Sequence, residues 1–255
     1  MTYCLGIKVK EGLVAISDTR ITSGTETTVK KKMFVQQKNG HSFFIMTSGL
    51  RSVRDKAVTY FQQVLEEEER YTKLYQAVNA FGRQLRRVAK EDRDVLEKAG
   101  YRFNLNTIVG GQLQDDDEHK LYLLYPEGNW VELGESAPFV IIGNSGYGKP
   151  ILNRTISEDS TIAEALKAGF LSFDSTRVSA NDVDFPIDVG LYRKNSFNMV
   201  EHRFEKDDLS MISSLWEKEL KSSLKNIPES WMDKALIKLE SSPKNVTLKS
   251  SSLIE

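Results

Sequence analysis

Cysteine occurs once in these 255 residues, at Cys4, so no internal disulfide can brace the fold, and a reducing compartment suits it. Histidine is nearly as scarce. His41, His119 and His202 are the only three, and none has a neighbour at the spacing of a metal site or a catalytic triad. Each is expected to be a surface or strand-packing residue, and no metal or cofactor is implied. No apolar run approaches the ~18 residues of a membrane span, and no basic-then-apolar leader precedes the first strand pattern. An excess of either charge is also missing. Lys and Arg number 35 against 36 Asp and Glu, a net charge of −1, so nothing global attracts nucleic acid or an anionic membrane. These absences together describe a cytoplasmic protein that binds neither.

The chain is long enough for a large core, and 40% of it is hydrophobic. Tyr3, Leu5, Ile7 and Val9 alternate with Cys4, Gly6, Lys8 and Lys10, a strand pattern that begins at the second residue. After Glu11-Gly12, Leu13–Ile16 runs into Ser17-Asp18-Thr19-Arg20. The polar stretch Thr22–Thr28 reads as a loop. Met33–Gln37 and Ser42–Thr47 read as strands joined by Asn39-Gly40, a strong hairpin signal. Val53, Ala57, Tyr60, Phe61, Val64 and Leu65 recur at helical spacing, as do Leu74, Ala77, Val78, Phe81, Leu85 and Val88. Strands follow at 106–109, 120–125, 129–133 and 139–142, then a helix at about 161–173, strands at 187–192 and 197–204, and a helix at about 208–224. Segregated runs of hairpin-linked strands and helices predict an α+β fold with antiparallel sheets. Two sheets stacked face to face, with helices outside, would bury both.

Several local signals have ordinary readings. Gly143-x4-Gly148-Lys149 follows an apolar strand like a phosphate loop, but Pro150 stands where a hydroxyl and an N–H are needed. Asp115–Glu118 reads as a solvated turn, and Cys4 as a packed core thiol. Asp18-x-Arg20 and Lys30-Lys31-Lys32 would each pass alone for local surface charge.

Taken together they do not. Thr2 at the mature terminus after loss of Met1, Asp-x-Arg ending the second strand, Lys leading the third, Ser48-Gly49 opening the first helix and a later Gly-x-Ser-Gly form one pattern. It resembles the proteasome β-type peptidases. More closely, "MTYCLGIKVKEGLVAISDTR", "KKM", "GNSGYGKPIL", "FDST" and "FPID" resemble, in order, the bacterial Anbu (ancestral β-subunit) group. The resemblance spans about residues 2–225. It leaves 226–255 as a C-terminal extension, partly helical and then a flexible tail.

The resemblance implies a four-layer αββα sandwich of the N-terminal-nucleophile hydrolase type and a threonine-type endopeptidase or amidohydrolase. It also implies self-assembly into a ring or open spiral, peptide or protein substrates, and an unfoldase or accessory enzyme of unknown identity. An amidase acting on a peptide conjugate or small amide, and a catalytically silent structural subunit, are the alternatives. The chemistry suits the residues. A threonine hydroxyl needs a base, and an α-amine, with a pKa near ~7.7–8.0, titrates close to working pH. Thr2 would carry nucleophile and base together. The Lys32 ammonium would favour the neutral amine and the developing alkoxide, with Asp18 holding it charged and aimed. Lys31 is the alternative ammonium; Lys32 is preferred because it directly precedes Met33 and the strand. Both Lys32 and Asp18 are expected to serve catalysis rather than folding. Gly49 would donate its N–H to the oxyanion. The resemblance further implies that Ser145, and Asp174 with Ser179, bracket the amine, although Val178 and Ala180 stand where the group has Arg and Asn.

Overall fold

The computed structural model describes residues 2–23, 26–38, 41–67, 71–134 and 137–240. The Asn39-Gly40 turn and the tail from Ser241 lie outside them. In chain order the elements are β1 (Tyr3–Val9), β2 (Gly12–Asp18), β3 (Arg20–Ser23), β4 (Glu26–Val29), β5 (Met33–Lys38) and β6 (His41–Gly49). Helices α1 (Arg51–Glu67) and α2 (Leu74–Lys98) follow, then β7 (Leu105–Gln112), β8 (Lys120–Leu124), β9 (Trp130–Glu132) and β10 (Phe139–Gly143). The chain continues through α3 (Lys149–Thr155), α4 (Ile162–Arg177), β11 (Ile187–Arg193), β12 (Met199–Phe204), α5 (Lys206–Lys225) and α6 (Asp233–Glu240). Two compact units divide it, Met1–Ser213 and Ser214–Glu255. The second holds the end of α5 and α6, with Leu224, Trp231 and Leu239 exposed.

Two five-stranded antiparallel sheets run β10-β1-β2-β11-β12 and β5-β6-β7-β8-β9. Alternation along the strands sends side chains into three separate cores. Leu5, Ile7, Val14 and Ile16 pack with Ala165, Phe170 and Phe173 of α4. Cys4, Leu13 and Ala15 point the other way, onto Phe44, Met46, Ile108 and Leu121 of the facing sheet. That second sheet turns Phe43, Ile45 and Val109 outward against Val53, Phe61, Phe81 and Leu85 of α1 and α2. Helix, sheet, sheet and helix therefore form an αββα sandwich of α+β class, as the strand and helix order predicts.

The alternation in β1 is not between core and solvent, because both faces are buried. Gly6 faces the other sheet, where a Cβ would lie 3.0 Å from both Ile108 and Leu121, so the sheets meet closely at this point. Every helical position expected to recur from Val53 to Val88 is buried or packs at the margin of this core. The Phe61 ring meets Phe43 and Phe81 edge-on, at centroid distances of 6.3 and 5.4 Å.

Three local readings change. The stretch 20–29, read largely as loop, carries the β3–β4 hairpin. A short helix, α3, follows the Gly-rich turn. Asp116, expected in a solvated turn, is half-buried, and its Oδ2 accepts the backbone N–H groups of Leu74 and Leu113, both at 2.9 Å. It thereby caps the start of α2 from a distant loop. Burial raises the Asp116 pKa against the pull of these bonds.

Candidate active site

Residue Thr2 sits at the entrance to β1, between the ends of two neighbouring strands. Tyr3 pairs with Gly143 of β10, and Cys4 pairs with Ser17 of β2. Asp18, the last residue of β2, therefore arrives beside Thr2. Its Oδ1 accepts three hydrogen bonds: from Thr2 Oγ1 at 2.7 Å, from the Tyr3 N–H at 2.8 Å and from Lys32 Nζ at 2.7 Å. Thr2 is 6% exposed, Asp18 0% and Lys32 9%, so the triad is nearly dry while Thr2 and Lys32 keep a narrow opening. Asp18 Oδ2 is buried with no hydrogen-bond partner among the described residues. Burial raises the Asp18 pKa, and the ammonium and three donors pull against it.

The two neighbouring lysines have separate duties. Lys31 is exposed and paired with Glu201 of β12, whereas Lys32 turns inward to Asp18. Gly49 ends β6, two residues before α1. Its φ is +148°, and a Cβ there would lie 2.1 Å from the Asn104 carbonyl oxygen, so this close approach requires glycine. Leu50 N–H donates to that same oxygen at 2.9 Å.

The Gly143-Asn144-Ser145 turn closes the other side. Asn144 N–H donates to the Thr2 carbonyl at 2.8 Å, and Ser145, half-buried, follows directly. The glycines that mimic a phosphate loop serve packing around this strand. A Cβ on Gly143 (φ +87°) would meet the Thr2 carbonyl oxygen at 2.0 Å, and one on Gly148 would meet Ser172 Oγ at 2.2 Å. Ser172 Oγ also receives the Tyr3 hydroxyl at 2.7 Å, which anchors the residue after Thr2. Gly143→Ala is expected to cost roughly 1–3 kcal/mol in strain. Because it shifts Thr2, it should also slow any reaction at the Thr2 hydroxyl by about 10²-fold. A urea midpoint and a labelling rate measured side by side check both.

Asp174 and Ser179 are not brought together. Asp174 Oδ1, on α4, accepts from Arg177 Nε and Nη2 at 3.2 and 2.7 Å and from Ser213 Oγ at 2.9 Å. Ser179 lies exposed beyond the helix, its N–H donating to the Thr176 carbonyl. Cys4 is buried between the sheets, its Sγ 3.8 Å from the Thr47 carbonyl oxygen. Burial pushes its thiol up to about 12 although Lys32 opposes this, which suits a core residue rather than a nucleophile. His119 is also buried, with Nε2 on the Val9 carbonyl, and His202 meets the Phe204 ring edge-on. Among the described residues no His, Cys, Asp or Glu group could hold a metal ion, and no helix is long and apolar enough to cross a membrane.

The sequence alone assigns no role to Asn144, although it lies within "GNSGYGKPIL", or to Ser172; they hold the backbone of Thr2 and the side chain of Tyr3. The family profile described as "Proteasome subunit" matches residues 2–182. Among solved structures, the Anbu (Gly-1) mutant from Hyphomicrobium sp. strain MC1 is 31% identical, with 89% of this chain and 99% of that one aligned at a TM-score of 0.82. Anbu (ancestral beta-subunit) from Yersinia bercovieri is 28% identical over 89% and 97% of the two chains, at a TM-score of 0.82. A chain from the helical assembly of the Anbu complex of Pseudomonas aeruginosa is 27% identical over 89% and 97%, at a TM-score of 0.84. No curated protein matches.

Proposed function

The chain belongs to the proteasome subunit family, with Anbu proteins as its structural relatives, and on that premise we propose that it is a threonine-type amide hydrolase acting on peptides or proteins. The observation that carries this reading is the meeting of Thr2 Oγ1 and Lys32 Nζ on one buried oxygen of Asp18. Removal of Met1 frees the α-amine of Thr2. That amine takes the hydroxyl proton, directly or through one water, as Oγ1 bonds to the substrate carbonyl carbon. The Lys32 ammonium stabilises the developing alkoxide, and the Gly49 N–H receives the oxyanion. The C–N bond then breaks, and the proton held by the α-amine passes to the leaving amine. Water cleaves the resulting ester and returns a proton to Oγ1. In this reading Ser145, which follows Asn144, assists the amine. Asp174, occupied by Arg177 and Ser213, supports α4 instead.

One relative is described as a helical assembly, and we infer that this chain likewise assembles with itself, in a ring or open spiral around its sites. We assign it to the cytoplasm, where its single buried thiol stays reduced. Intact mass after treatment with a small β-lactone tests the chemistry. Native-start protein should have lost Met1 and gained one adduct, which Thr2→Ala abolishes. Full labelling of Thr2→Ala, or none of the native protein, would overturn the proposal.

A further inference from the structure

Around the start of α1 cations outnumber the carboxylate they share. Some lysines of the fold meet two carboxylates: Lys10 meets Glu158 and Asp159, Lys56 meets Glu91 and Asp92, and Lys120 meets Glu118 and Glu132. Asp55 instead receives three cations. Arg54 Nη1 lies 2.7 Å from its Oδ1, while Lys30 Nζ and Arg51 Nε lie 3.3 and 3.4 Å from its Oδ2. Lys31, Lys32 and Arg20 are each paired with an acid of their own, Glu201, Asp18 and Asp184. Two positive charges near Asp55 are thus left without a carboxylate among the described residues.

This excess is joined to the segments that carry Asp18 and Lys32. Lys30 N–H donates to the Thr19 carbonyl at 2.8 Å, one residue after Asp18. Arg54 Nη2 lies 3.4 Å from the Lys31 carbonyl oxygen, within the segment that delivers Lys32 to Asp18. Lys30 and Lys32 lie on either side of Lys31, which pairs away with Glu201. Arg51 and Arg54 occupy the first turn of α1, whose Leu50 and Gly49 directly precede it, and the Arg54 N–H donates to the Leu50 carbonyl at 3.0 Å. The positive end of the α1 dipole adds to the same field. Burial works to raise the Asp55 pKa, yet Arg54 and Lys30 outweigh it and hold it below the usual carboxylate range. Arg51 and Lys30 keep 59% and 39% of their side-chain surface open, so an incoming anion can reach them.

Resting on the threonine-hydrolase reading above, we propose that Lys30, Arg51 and Arg54 form a carboxylate-binding subsite, which selects substrates bearing an acidic side chain on the residue whose carbonyl Thr2 attacks. That residue is the one whose place Thr2 and Gly49 jointly define: its carbonyl carbon meets Oγ1 and its oxygen meets the Gly49 N–H. Its side chain is then the substrate group next to the start of α1. Two guanidinium groups and an ammonium match a carboxylate in charge and in hydrogen-bond geometry. They give no such match to an amide.

Acetyl-tripeptide epoxyketones carrying Glu, Gln, Leu or Lys beside the warhead test this, with labelling rates read by intact mass. The Glu probe should react about tenfold faster than its isostere Gln at low salt. Its lead should shrink in 0.5 M NaCl, because the charges are partly exposed. Arg51→Gln and Arg54→Gln, with folding verified by melting temperature, should bring the Glu-to-Gln ratio towards one. Equal rates for Glu and Gln in the native protein overturn the subsite. If a small β-lactone labels Thr2 but no peptide probe does, the subsite fails while the hydrolase reading stands. If the β-lactone also fails, the hydrolase reading falls, and binding of rhodamine-labelled Glu and Gln peptides to the same protein decides the subsite. Tighter Glu binding that both arginine variants remove keeps it, and equal binding ends it.

Discussion

Lys32→Met is expected to slow acylation of Thr2 by roughly 10²–10⁴-fold, the range for losing a group that manages proton transfer and charge at the reacting atom. It should also make folding stability depend on pH. Asp18 is fully buried, and Lys32 is its one ion-pair partner among the described residues. Removing one member of a buried pair typically costs about 3–5 kcal/mol, unless the stranded group neutralises itself. Burial already raises the Asp18 pKa, and loss of the ammonium raises it further. A carboxyl whose folded pKa exceeds its unfolded value binds more protons in the folded state, so stability falls as pH rises between the two values and recovers on acidification. The melting temperature of Lys32→Met should therefore climb as pH is lowered from 8 to 5. In the double variant Asp18→Asn/Lys32→Met this dependence should vanish. The expectation that Lys32 matters to catalysis and not to folding is thus revised: a 9%-exposed ammonium on a buried carboxylate is expected to affect stability as well. A single variant with native labelling rates and a flat stability profile would contradict the assignment.

What the sequence makes legible follows from where the information lies. Strands β1 and β2 and helices α1 and α2 are buried over long, regular stretches, so their apolar periods are written out in full. Thr2 and Asp18 stand at the ends of β1 and β2, which pair side by side, whereas Lys32 precedes β5 of the other sheet and reaches Asp18 from there. The hairpin β3–β4 leaves no such trace, because β4 is exposed along its length and nothing forces its residues to alternate. Helix α3 is seven residues long, buries only Leu152 and carries Pro150, too little for a helical period to register. Asp116 caps α2 from 42 residues away and Asp174 meets Ser213 from 39 away. Such contacts depend on tertiary placement, and composition or spacing cannot announce them. The resemblance alone points to Asp174 as a site residue. Its partners Arg177 and Ser213 explain why it is buried without reaching Ser179.

Acetylation of the Thr2 α-amine, or retention of Met1 behind an uncleavable tag, is expected to abolish acylation at Thr2 while the hydroxyl stays intact. Both changes remove the only base that the proposed mechanism supplies in the same residue as the nucleophile. A free α-amine has a reference pKa of ~7.7–8.0. The Lys32 ammonium, held by Asp18 at 2.7 Å beside Thr2, disfavours a second positive charge and should lower that value. The amine acts when unprotonated, so labelling should rise with pH through roughly 6 to 8 and then level off. With Lys32→Met the residual rate should rise at higher pH, because the neighbour that depressed the amine is gone. The limb should also track the amine and no imidazole. His41→Gln, at the end of β6 away from Gly49, and His202→Gln, on β12 with β11 between it and β2, should leave its midpoint in place. The β-lactone rate, followed by intact mass from pH 5 to 9 on native-start, Nα-acetylated and Lys32→Met protein, separates these cases. Full-rate adduct formation on the acetylated chain would show that some other group takes the hydroxyl proton, and the assignment of Thr2 as its own base would then be abandoned.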